Sequence, residues 1–432
     1  MTTRRSFVKQ TVAVGAIGAI SAPTVWASSL RVKGLIRRDE TTKVLGGSGW
    51  ASGLTWAEDN RQFASICEGG GWPGVPEDYV FQSYLMAVDG CPENVKFNAV
   101  ANYPTGIPMS DGWRVRSKSH YYALNVISIG NSIYQYVSTS NDEIGDDLKP
   151  WNPEFRWRGT KLIYSPDNGA TWSNQDGSKP VTWQSPQDLS RDNTIFWKEK
   201  QNIFSELTLL QMGKGYRDNK DGHVYGYSHN ETSNETLPRN LCMFRVPKTR
   251  LLQRDAYEFY AGLGANGAAV WKKDIEAIAP VPNFPREWEV SSVVYNAPLN
   301  LYMMVAYQVH GLDTPEAIVK ELYRPSSMGF WTSRHPWGPW EQIHEEAKWT
   351  PGGDSAAWCE APIIAPKWIS ADGKSLWLVW TDWGHSKAWR ESLGEEVFYS
   401  KTASEYVKRY AEYFEAHPKD RFLMQRVDLI VG

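Results

Sequence analysis

The 432-residue sequence predicts an all-β fold, because β-rich runs recur in pairs around short polar turns along most of its length. In "HYYALNVISIGNSIYQYVSTS", two runs rich in β-branched and aromatic residues flank a Gly-Asn turn, which is a hairpin signal. The same organisation returns in "VSSVVYNAPLNLYMMVAYQ". Helical periodicity is clear only in "ASEYVKRYAEYFEAH", residues 403–417. Hairpins that recur throughout a chain of this length favour a β-propeller.

The predicted propeller is a single domain over residues 28–432. Its blades would be four-stranded antiparallel sheets, and the length of the chain fits five of them best, with six or seven also open. In the predicted C-terminal helix, Tyr406, Tyr410 and Phe414 recur every four residues and form a stripe for packing against the blades. A sandwich of this length would be unusually large, and a parallel β-helix would show more regular coils.

The N-terminal segment has the pattern of an export signal. A polar stretch with Arg4 and Arg5 at its centre leads into the apolar run "TVAVGAIGAISAP", and the small-residue exit "VWA" ends at Ala27. The arginine pair, followed by Phe7, is typical of the twin-arginine variant of such signals. We therefore predict that residues 1–27 are a signal peptide and that the mature protein is periplasmic or secreted.

Composition limits the partners of the mature chain. The net charge is −3, so no basic surface is expected for nucleic acid. No apolar run after the N-terminus approaches the roughly 20 residues that span a bilayer, so we expect no stable membrane insertion. The sequence indicates no required cofactor, although it leaves room for a structural divalent cation such as Ca²⁺, and we expect a monomer.

Aromatic residues are unusually frequent and point to carbohydrate. The chain has 22 Trp, 21 Tyr and 14 Phe with a mean hydropathy of −0.49, so many rings are expected at partly exposed positions. Exposed aromatic rings can stack on the C–H faces of sugars while polar groups bind the hydroxyls. The candidate substrate-binding residues are Trp72, Trp113, Trp358, Trp383 and His229.

The four cysteines leave two states open. Cys67, Cys91, Cys242 and Cys359 form no CxxC pair and have no histidine at ligand spacing, so a zinc knuckle is not expected. In an oxidising compartment one or two disulfides are allowed, with Cys67–Cys91 the closest pair in sequence. Buried free thiols are the equal alternative.

The segment "SPDNGATW" matches the Asp-box, S-x-D-x-G-x-T-W, of sialidase-like propellers. In such proteins this motif lies in the turn between the third and fourth strands of a blade, away from the active centre. The aspartate can accept backbone N–H groups, the glycine supplies a positive φ and the tryptophan fills the gap between strands. The structural residues predicted from it are Ser165, Asp167, Gly169, Thr171 and Trp172.

A wider resemblance covers about residues 220–345. "DGHVYGYSHN", "RDAYEFYAG", "SSVVYN" and "HPWGPWEQI" occur in an order that resembles a bacterial β-propeller family long described only as a domain of unknown function. Some members of that family are D-arabinan-degrading glycoside hydrolases. The resemblance implies an exported polysaccharide-degrading enzyme that cleaves glycosidic bonds. Such enzymes use paired carboxylates, one to protonate the leaving oxygen and one to attack or to activate water.

Only part of the carboxylate pair carries over from the resemblance. The family's first blade has two acids, whereas "GWASGLTW" has none at the matching place and "ICEGGGW" supplies only Glu68. "WCEAP" resembles the E-[GA]-P element of the general acid in arabinanase-like propellers, which makes Glu360 a candidate. Glu289 in "REWEVSS" is expected at the mouth of a strand, near the axis. We interpret most other acids, among them Glu206 and Asp382, as structural.

The missing acid keeps a polysaccharide lyase open as the alternative function. Cleavage of uronate-containing, ulvan-like glycans by β-elimination needs a Tyr or His base and an Arg or His that neutralises the carboxylate. His120, Tyr227 and Arg239 lie near strand ends and could supply these groups. A third alternative is a glycan-binding propeller without catalysis, which the unequal blades disfavour. There is no glycine-rich nucleotide loop, so a redox enzyme has no support.

Overall fold

The structure is a computed structural model that describes residues 31–75, 81–105, 121–140, 157–185, 188–229, 239–309, 326–355, 357–382 and 421–432. The predicted signal peptide, residues 1–27, and the predicted helix at residues 403–417 lie outside these ranges. The same holds for three of the predicted site residues, which are His120, Trp113 and Trp383.

The described residues are mostly β-strand. The helices among them are short 3-10 turns, at Arg191–Asn193, Lys200–Asn202, Lys214–Tyr216, Arg254–Ala256, Ile275–Ala277, Pro351–Gly353 and Pro366–Trp368. The strands are β1 (Val32–Val44), β2 (Ser48–Trp56), β3 (Gln62–Gly70), β4 (Phe81–Asp89), β5 (Lys96–Ala99), β6 (Tyr121–Ile129), β7 (Ser132–Ser140), β8 (Trp157–Ser165), β9 (Ser173–Asn174), β10 (Thr208–Gln211), β11 (His223–His229), β12 (Leu241–Pro247), β13 (Glu258–Leu263), β14 (Ala269–Lys272), β15 (Glu289–Asn296), β16 (Leu301–Gln308), β17 (Ser327–Ser333), β18 (Glu341–Glu346), β19 (Cys359–Ile364), β20 (Ser375–Asp382) and β21 (Arg421–Val431).

These strands form antiparallel units in sequence order. Three separate sheets have the strand orders β2-β3-β4-β5, β6-β7-β8-β9 and β1-β21-β20-β19. The fourth sheet joins two further units, β10 to β14 and β15 to β18, through a short parallel pairing of β10 with β15 at Leu210↔Val293 and Gln211↔Val294. The described part of the chain therefore holds five such units. Four of them are sequential antiparallel meanders, and the fifth runs through β19, β20 and β21 and adds β1 as its outer strand, so the prediction of an all-β propeller is confirmed.

The first strands of the five units form a ring around a common axis. Strands β2, β6, β10, β15 and β19 contact one another in that order, and β19 contacts β2 again. Outside the short β10–β15 ladder, side chains supply hydrogen bonds between neighbouring inner strands. Asn125 Nδ2 donates to the carbonyl of Ser52 at 3.1 Å, and Ser291 Oγ donates to the carbonyl of Pro362 at 2.7 Å. These side-chain hydrogen bonds thus fix the position of each inner strand along the axis relative to its neighbour.

The two ends of the described chain meet in one sheet. Strand β1 pairs antiparallel with β21, from Val32↔Val431 to Val44↔Leu423, and so supplies the outer strand of the unit that contains β19. An ion pair between Arg38 and Asp428, at 2.6 Å, adds to this pairing. The last unit is therefore built from both ends, which closes the ring.

All four cysteines lie in the described part of the chain as free thiols. Cys67, Cys242 and Cys359 are buried, and Cys91 is exposed. The structure thus has the second of the two states that the sequence left open. No helix among the described residues is long and apolar enough to span a membrane.

The Asp-box residues form the turn between β8 and β9, the third and fourth strands of their unit. Asp167 Oδ1 accepts the backbone N–H of Thr171 at 2.8 Å, and Asp167 Oδ2 accepts its hydroxyl at 2.8 Å. Gly169 has a φ of 92°, and its N–H donates to Ser165 Oγ at 2.8 Å. Trp172 packs edge-on against Tyr103 of the preceding unit, with ring centroids 5.3 Å apart. The turn therefore ties two neighbouring units together.

Replacing Asp167 with Ala should lower the free energy of unfolding by about 1 kcal/mol, because the turn loses charge-assisted hydrogen bonds at an exposed site. Burial raises the pKa of Asp167, but the hydrogen bonds from Thr171 and Ser165 outweigh it, and the net pKa lies below its usual value. This stabilisation is present above the unfolded pKa of about 3.9 and is lost as the pH falls through the folded pKa. Urea unfolding of both proteins between pH 7 and pH 2 measures it, and an unchanged pH dependence in the variant would contradict this role.

Candidate active site

A cavity lies on the axis, at the end where the inner strands begin. Its empty volume is about 280 Å³, including its open mouth. All five inner strands or the residues just before them contribute to its wall, and a second strand of one unit adds one more residue. The lining residues are Trp50, Ala51, Ser52, Leu124, Leu207, Thr208, Glu289, Val290, Ser291, Tyr307 and Ala361.

Bulges in the inner strands shape this wall. The pairing of β2, β6, β15 and β19 with their second strands shifts register at Ser52, Leu124, Ser291 and Ala361, respectively. Each of these four residues lines the cavity. A β-bulge inserts an unpaired residue, bends the strand and redirects its side chains, and such bulges recur beside active sites. The bulges therefore place the residues just before them around the mouth of the cavity.

A buried ion-pair cluster stands at this mouth. Arg239, which is 4 % exposed, donates from Nη1 to Glu206 Oε2 at 2.9 Å and from Nη2 to Glu289 Oε2 at 3.4 Å. Glu206 and Glu289 are 9 % and 8 % exposed. The backbone N–H of Arg239 donates to the carbonyl of Arg286 at 2.8 Å. One guanidinium thus bridges two carboxylates that come from neighbouring inner strands, and Glu289 itself lines the cavity.

His229 belongs to the same cluster. It is buried at the end of β11, and its Nε2 accepts the backbone N–H of Val290 at 3.2 Å. Burial and the positive charge of Arg239 hold the pKa of His229 well below its usual value. Because Nε2 accepts a hydrogen bond, the ring in this geometry is the neutral imidazole. In this geometry Nε2 of His229 contacts the backbone of the residue after Glu289, and substrate binding by His229 stays a prediction.

Glu360 lies at the same level on the next inner strand. Ser291 Oγ of β15 donates to the carbonyl of Pro362 on the adjoining strand β19. Glu289 lies two residues before Ser291, and Glu360 lies two residues before Pro362. On the other side, Thr208 donates to the carbonyl of Val290 at 2.8 Å, and Glu206 stands two residues before Thr208. Three buried glutamates, one on each of three consecutive inner strands or just before it, therefore face the same end of the ring.

The opposite side of the mouth is aromatic. Trp50 of β2 is partly buried and lines the cavity. It packs against a small cluster in which Tyr122 and Trp157 meet edge-on, with ring centroids 5.2 Å apart. Trp50 precedes the bulged Ser52 by two residues, as Glu289 precedes the bulged Ser291. The first unit therefore presents an indole where the fourth presents a carboxylate.

Several predicted site residues lie elsewhere. Tyr227 is buried in the core, where its hydroxyl donates to the carbonyl of Pro336 at 2.6 Å and burial raises its pKa well above the usual value. Trp72 is 2 % exposed and packs against Phe97 at 5.0 Å. These positions favour packing roles for Tyr227 and Trp72 over the catalytic and sugar-stacking roles that we predicted.

Two further candidates are Trp358 and Glu68. Trp358 is buried, and its backbone N–H donates to Asp382 Oδ1 at 3.0 Å, next to Glu360 on β19. Asp382 thus holds the strand that carries Glu360. The backbone of Glu68 lies in β3, but its side chain is outside the described part of the structure.

Among the described residues, no group of three or more His, Cys, Asp or Glu is arranged to hold a metal ion.

The groups proposed for β-elimination do not come together among the described residues. Arg239 already faces two carboxylates, so a substrate carboxylate would have to compete with both. Tyr227 hydrogen-bonds in the core, and His120 lies outside the described ranges. The geometry of the site therefore favours carboxylate chemistry over neutralisation of a uronate.

Sequence reasoning missed two residues of this site. Glu206 was interpreted as a structural acid, and Trp50 was noted only as part of a segment that lacks an aspartate. The signal that could have found them is positional, because Glu206 precedes Thr208, and Trp50 precedes Ser52, at the spacing by which Glu289 precedes Ser291. That comparison requires the bulges at Ser52 and Ser291 and the hydrogen bond from Thr208 to Val290, which only the folded structure reveals.

Solved structures with similar folds include a protein from Bacteroides ovatus named as a candidate hydrolase, with 16% identity, a TM-score of 0.46, and coverage of 89% of this chain and 87% of that one. A GH43_1 enzyme from Xanthomonas citri has 11% identity, a TM-score of 0.40, and coverage of 80% and 86%. The α-L-arabinofuranosidase of Podospora anserina in complex with cellotriose has 10% identity, a TM-score of 0.40, and coverage of 92% and 95%. Because these TM-scores are below 0.5, we base no functional step on them.

A search of curated protein sequences found no match. Residues 125–392 match the family model described as a domain of unknown function, DUF4185. This segment is more than half of the 432-residue chain, and it includes Glu206, Arg239, Glu289 and Glu360. It also contains the motifs that, in the sequence alone, resembled a propeller family of undescribed function. The chain belongs to the DUF4185 family.

Proposed function

We propose that this protein is an exported glycoside hydrolase that acts on a polysaccharide or oligosaccharide. One observation carries the proposal: three buried glutamates, from consecutive inner strands, stand at one end of the axial cavity, and Arg239 bridges two of them. Hydrolysis of a glycosidic bond needs two carboxyl groups on opposite sides of the scissile bond. The resemblance to a propeller family with arabinan-degrading members supports the same reaction class.

Glu289 is the proposed nucleophile or general base. It lines the cavity, and Arg239 compensates the negative charge that an attacking or water-activating carboxylate carries. Glu206 shares the same guanidinium but is not part of the cavity wall, so we assign it to holding Arg239 in place. The roles of these two glutamates differ because, of the pair, Glu289 lines the cavity and Glu206 does not.

Glu360 is the proposed general acid. It lies on β19, which adjoins β15, and the next residue in the chain, Ala361, lines the cavity. Its segment, Cys359-Glu360-Ala361-Pro362, resembles the element that carries the acid in arabinanase-like propellers. A general acid must reach the leaving oxygen from the side opposite to the base or nucleophile, and two neighbouring strands at one level can provide that separation.

Trp50 is the proposed sugar platform. Its indole is partly exposed and lines the cavity together with Glu289. Sugar rings stack on aromatic faces through their C–H groups, and an indole offers the largest such face. A sugar held by Trp50 would keep its glycosidic bond toward the acidic side of the mouth.

Incubation of the mature protein with algal, plant and mycobacterial glycans tests the reaction class. Hydrolysis yields new reducing ends without the ultraviolet absorbance of an unsaturated uronate. Appearance of that absorbance would establish β-elimination and overturn the proposal. Glycan binding without any new reducing ends would instead identify a lectin.

Replacing Glu289 or Glu360 with Gln should lower kcat by about a hundredfold or more, because each substitution removes one of the two carboxyl groups that move a proton or attack carbon. Reducing-end assays on the best glycan of the panel measure the loss. Glu287, two residues before Glu289 and exposed, provides the matched control as Glu287→Gln. Wild-type rates in either catalytic variant, with the fold intact by circular dichroism, would refute the assigned roles.

Replacing Trp50 with Ala should raise KM about tenfold, because the sugar loses its stacking surface, which is worth roughly 1 kcal/mol or more. Trp56, at the far end of the same strand, bonds Asn60 through its indole N–H and does not line the cavity. Trp56→Ala is therefore the control. Initial-rate kinetics on both variants distinguish the roles, and equal effects on KM would contradict a platform at Trp50.

Export by the twin-arginine route is also part of the proposal. Replacing Arg4 and Arg5 with Lys should leave the protein in the cytoplasm as an uncleaved precursor, since the arginine pair is the feature that this route reads. Cell fractionation and immunoblotting of a bacterial host measure the distribution. Arg31→Lys, beyond the predicted signal, is the control, and normal export of the double variant would contradict this route.

A further inference from the structure

His229 makes a contact that the proposed reaction does not yet use. It ends strand β11 and is only 3 % exposed. Its Nε2 accepts the backbone N–H of Val290, so this nitrogen carries a lone pair and the ring proton of the neutral imidazole is on Nδ1. The tautomer therefore follows from the contact with Val290.

Val290, the residue after Glu289, has both of its backbone polar groups bonded to side chains of the preceding unit. The N–H of Val290 donates to His229 at 3.2 Å, and its carbonyl accepts the hydroxyl of Thr208 at 2.8 Å. The register of β15 against β16 shifts immediately afterwards, between Val290 and Ser292. Because regular pairing is interrupted there, side chains from neighbouring units take over the task of fixing this segment.

The side chain of Glu289 is held by the same cluster. Arg239 Nη2 donates to it at 3.4 Å, and the Arg239 backbone is fixed by the carbonyl of Arg286. The charged groups of the cluster are Arg239, Glu206 and Glu289. A protonated His229 would bring a second positive charge close to Arg239 and would lose its acceptor for Val290. The arrangement thus requires a neutral imidazole.

We propose that His229 is a positioning residue, which as a neutral imidazole holds the Glu289–Val290 peptide and so aims the carboxylate of Glu289 into the axial cavity. This inference rests on the proposed role of Glu289 in hydrolysis. His229 itself need not touch the substrate, because it acts through the backbone.

The second ring nitrogen is consistent with this tautomer. Nδ1 of His229 is buried beside the backbone of Arg239, which favours a proton on the ring, although no well-formed hydrogen bond joins the two among the described residues. The hydrogen bond from Val290 to Nε2 is a well-formed polar contact of this ring, and an apolar side chain of similar size could not make it.

Two variants test the proposal by kinetics. His229→Gln keeps a side-chain oxygen that can accept the N–H of Val290, whereas His229→Leu keeps the bulk but offers no acceptor. We expect His229→Leu to lower kcat about tenfold or more with little change in KM, and His229→Gln to recover most of it. His223→Gln, at the other end of the same strand, is the matched control. Equal kcat in wild type and His229→Leu would overturn the proposal.

Measurements without substrate keep the test independent of hydrolysis. Hydrogen–deuterium exchange should be faster in His229→Leu than in wild type for the peptide that contains Val290, and unchanged for β20. Long-range ¹H–¹⁵N spectra should show the Nδ1–H tautomer for the one histidine signal that His229→Gln removes. If the wild-type protein cleaves no glycan, the hydrolase proposal fails and the role of His229 is still tested by these measurements. An unchanged rate of hydrogen–deuterium exchange at Val290 in His229→Leu, or an Nε2–H tautomer of His229, would overturn the role of His229.

The stability of the fold supplies a further readout. The folded pKa of His229 lies below its unfolded value, so the free energy of unfolding should fall as the pH drops below about 6.5. His229→Gln should remove this part of the pH dependence, which urea titrations between pH 7 and pH 5 measure. An identical pH dependence in both proteins would mean that His229 takes up a proton as readily in the folded protein as in the unfolded chain, and it would contradict the neutral clamp.

Discussion

The inner strands of a propeller ring stand side by side, yet most of them cannot extend one continuous hydrogen-bond ladder from blade to blade. Their buried backbone groups near the axis must therefore be satisfied by side chains. Asn125, Thr208, Gln211 and Ser291 do this across four of the five junctions, and Thr381 of β20 does it at the junction of β19 with β2. Each bond also fixes the height of one strand relative to the next. The position of every residue at the mouth of the cavity follows from these few contacts.

A ring fixed in this way can hold charges that would otherwise be expensive to bury. Removing Glu206, Arg239 and Glu289 from water costs several kcal/mol per ion before their mutual attraction is counted, and only good geometry offsets that cost. The geometry comes from two directions, because the glutamates belong to inner-strand segments while Arg239 lies two residues before β12, the third strand of its unit. The buried ion pairs therefore say little about the stability of the fold, because packed apolar residues would stabilise it as well. They favour a functional role for these three residues instead.

The sequence predicted what depends on neighbouring residues. Hairpins, the all-β class and the Asp-box turn follow from alternation, turn residues and a local hydrogen-bond pattern. The site depends instead on register between units that are far apart in sequence. Glu289, Glu360, Arg239 and His229 were identified as candidates, but Tyr227 and Trp72 looked equally suitable and are packed in the core. Glu206 and Trp50 are recognised as part of the site only when the contacts between strands show which residues of different strands lie at one level along the axis.

Trp50 has in the first unit the position that Glu289 has in the fourth, two residues before a bulge. Equivalent positions around a ring see the cavity from different directions, so a carboxylate lost from one strand can be replaced by carboxylates on other strands without moving the substrate far. Here the acids lie on the side of β10, β15 and β19, and the aromatic residues lie on the side of β2 and β6. A sugar between an indole face and two carboxyl groups meets the requirements of binding and of proton transfer at once. The absence of an aspartate in the first unit is therefore compatible with hydrolysis, because the ring needs its acids at one level and not on one particular strand.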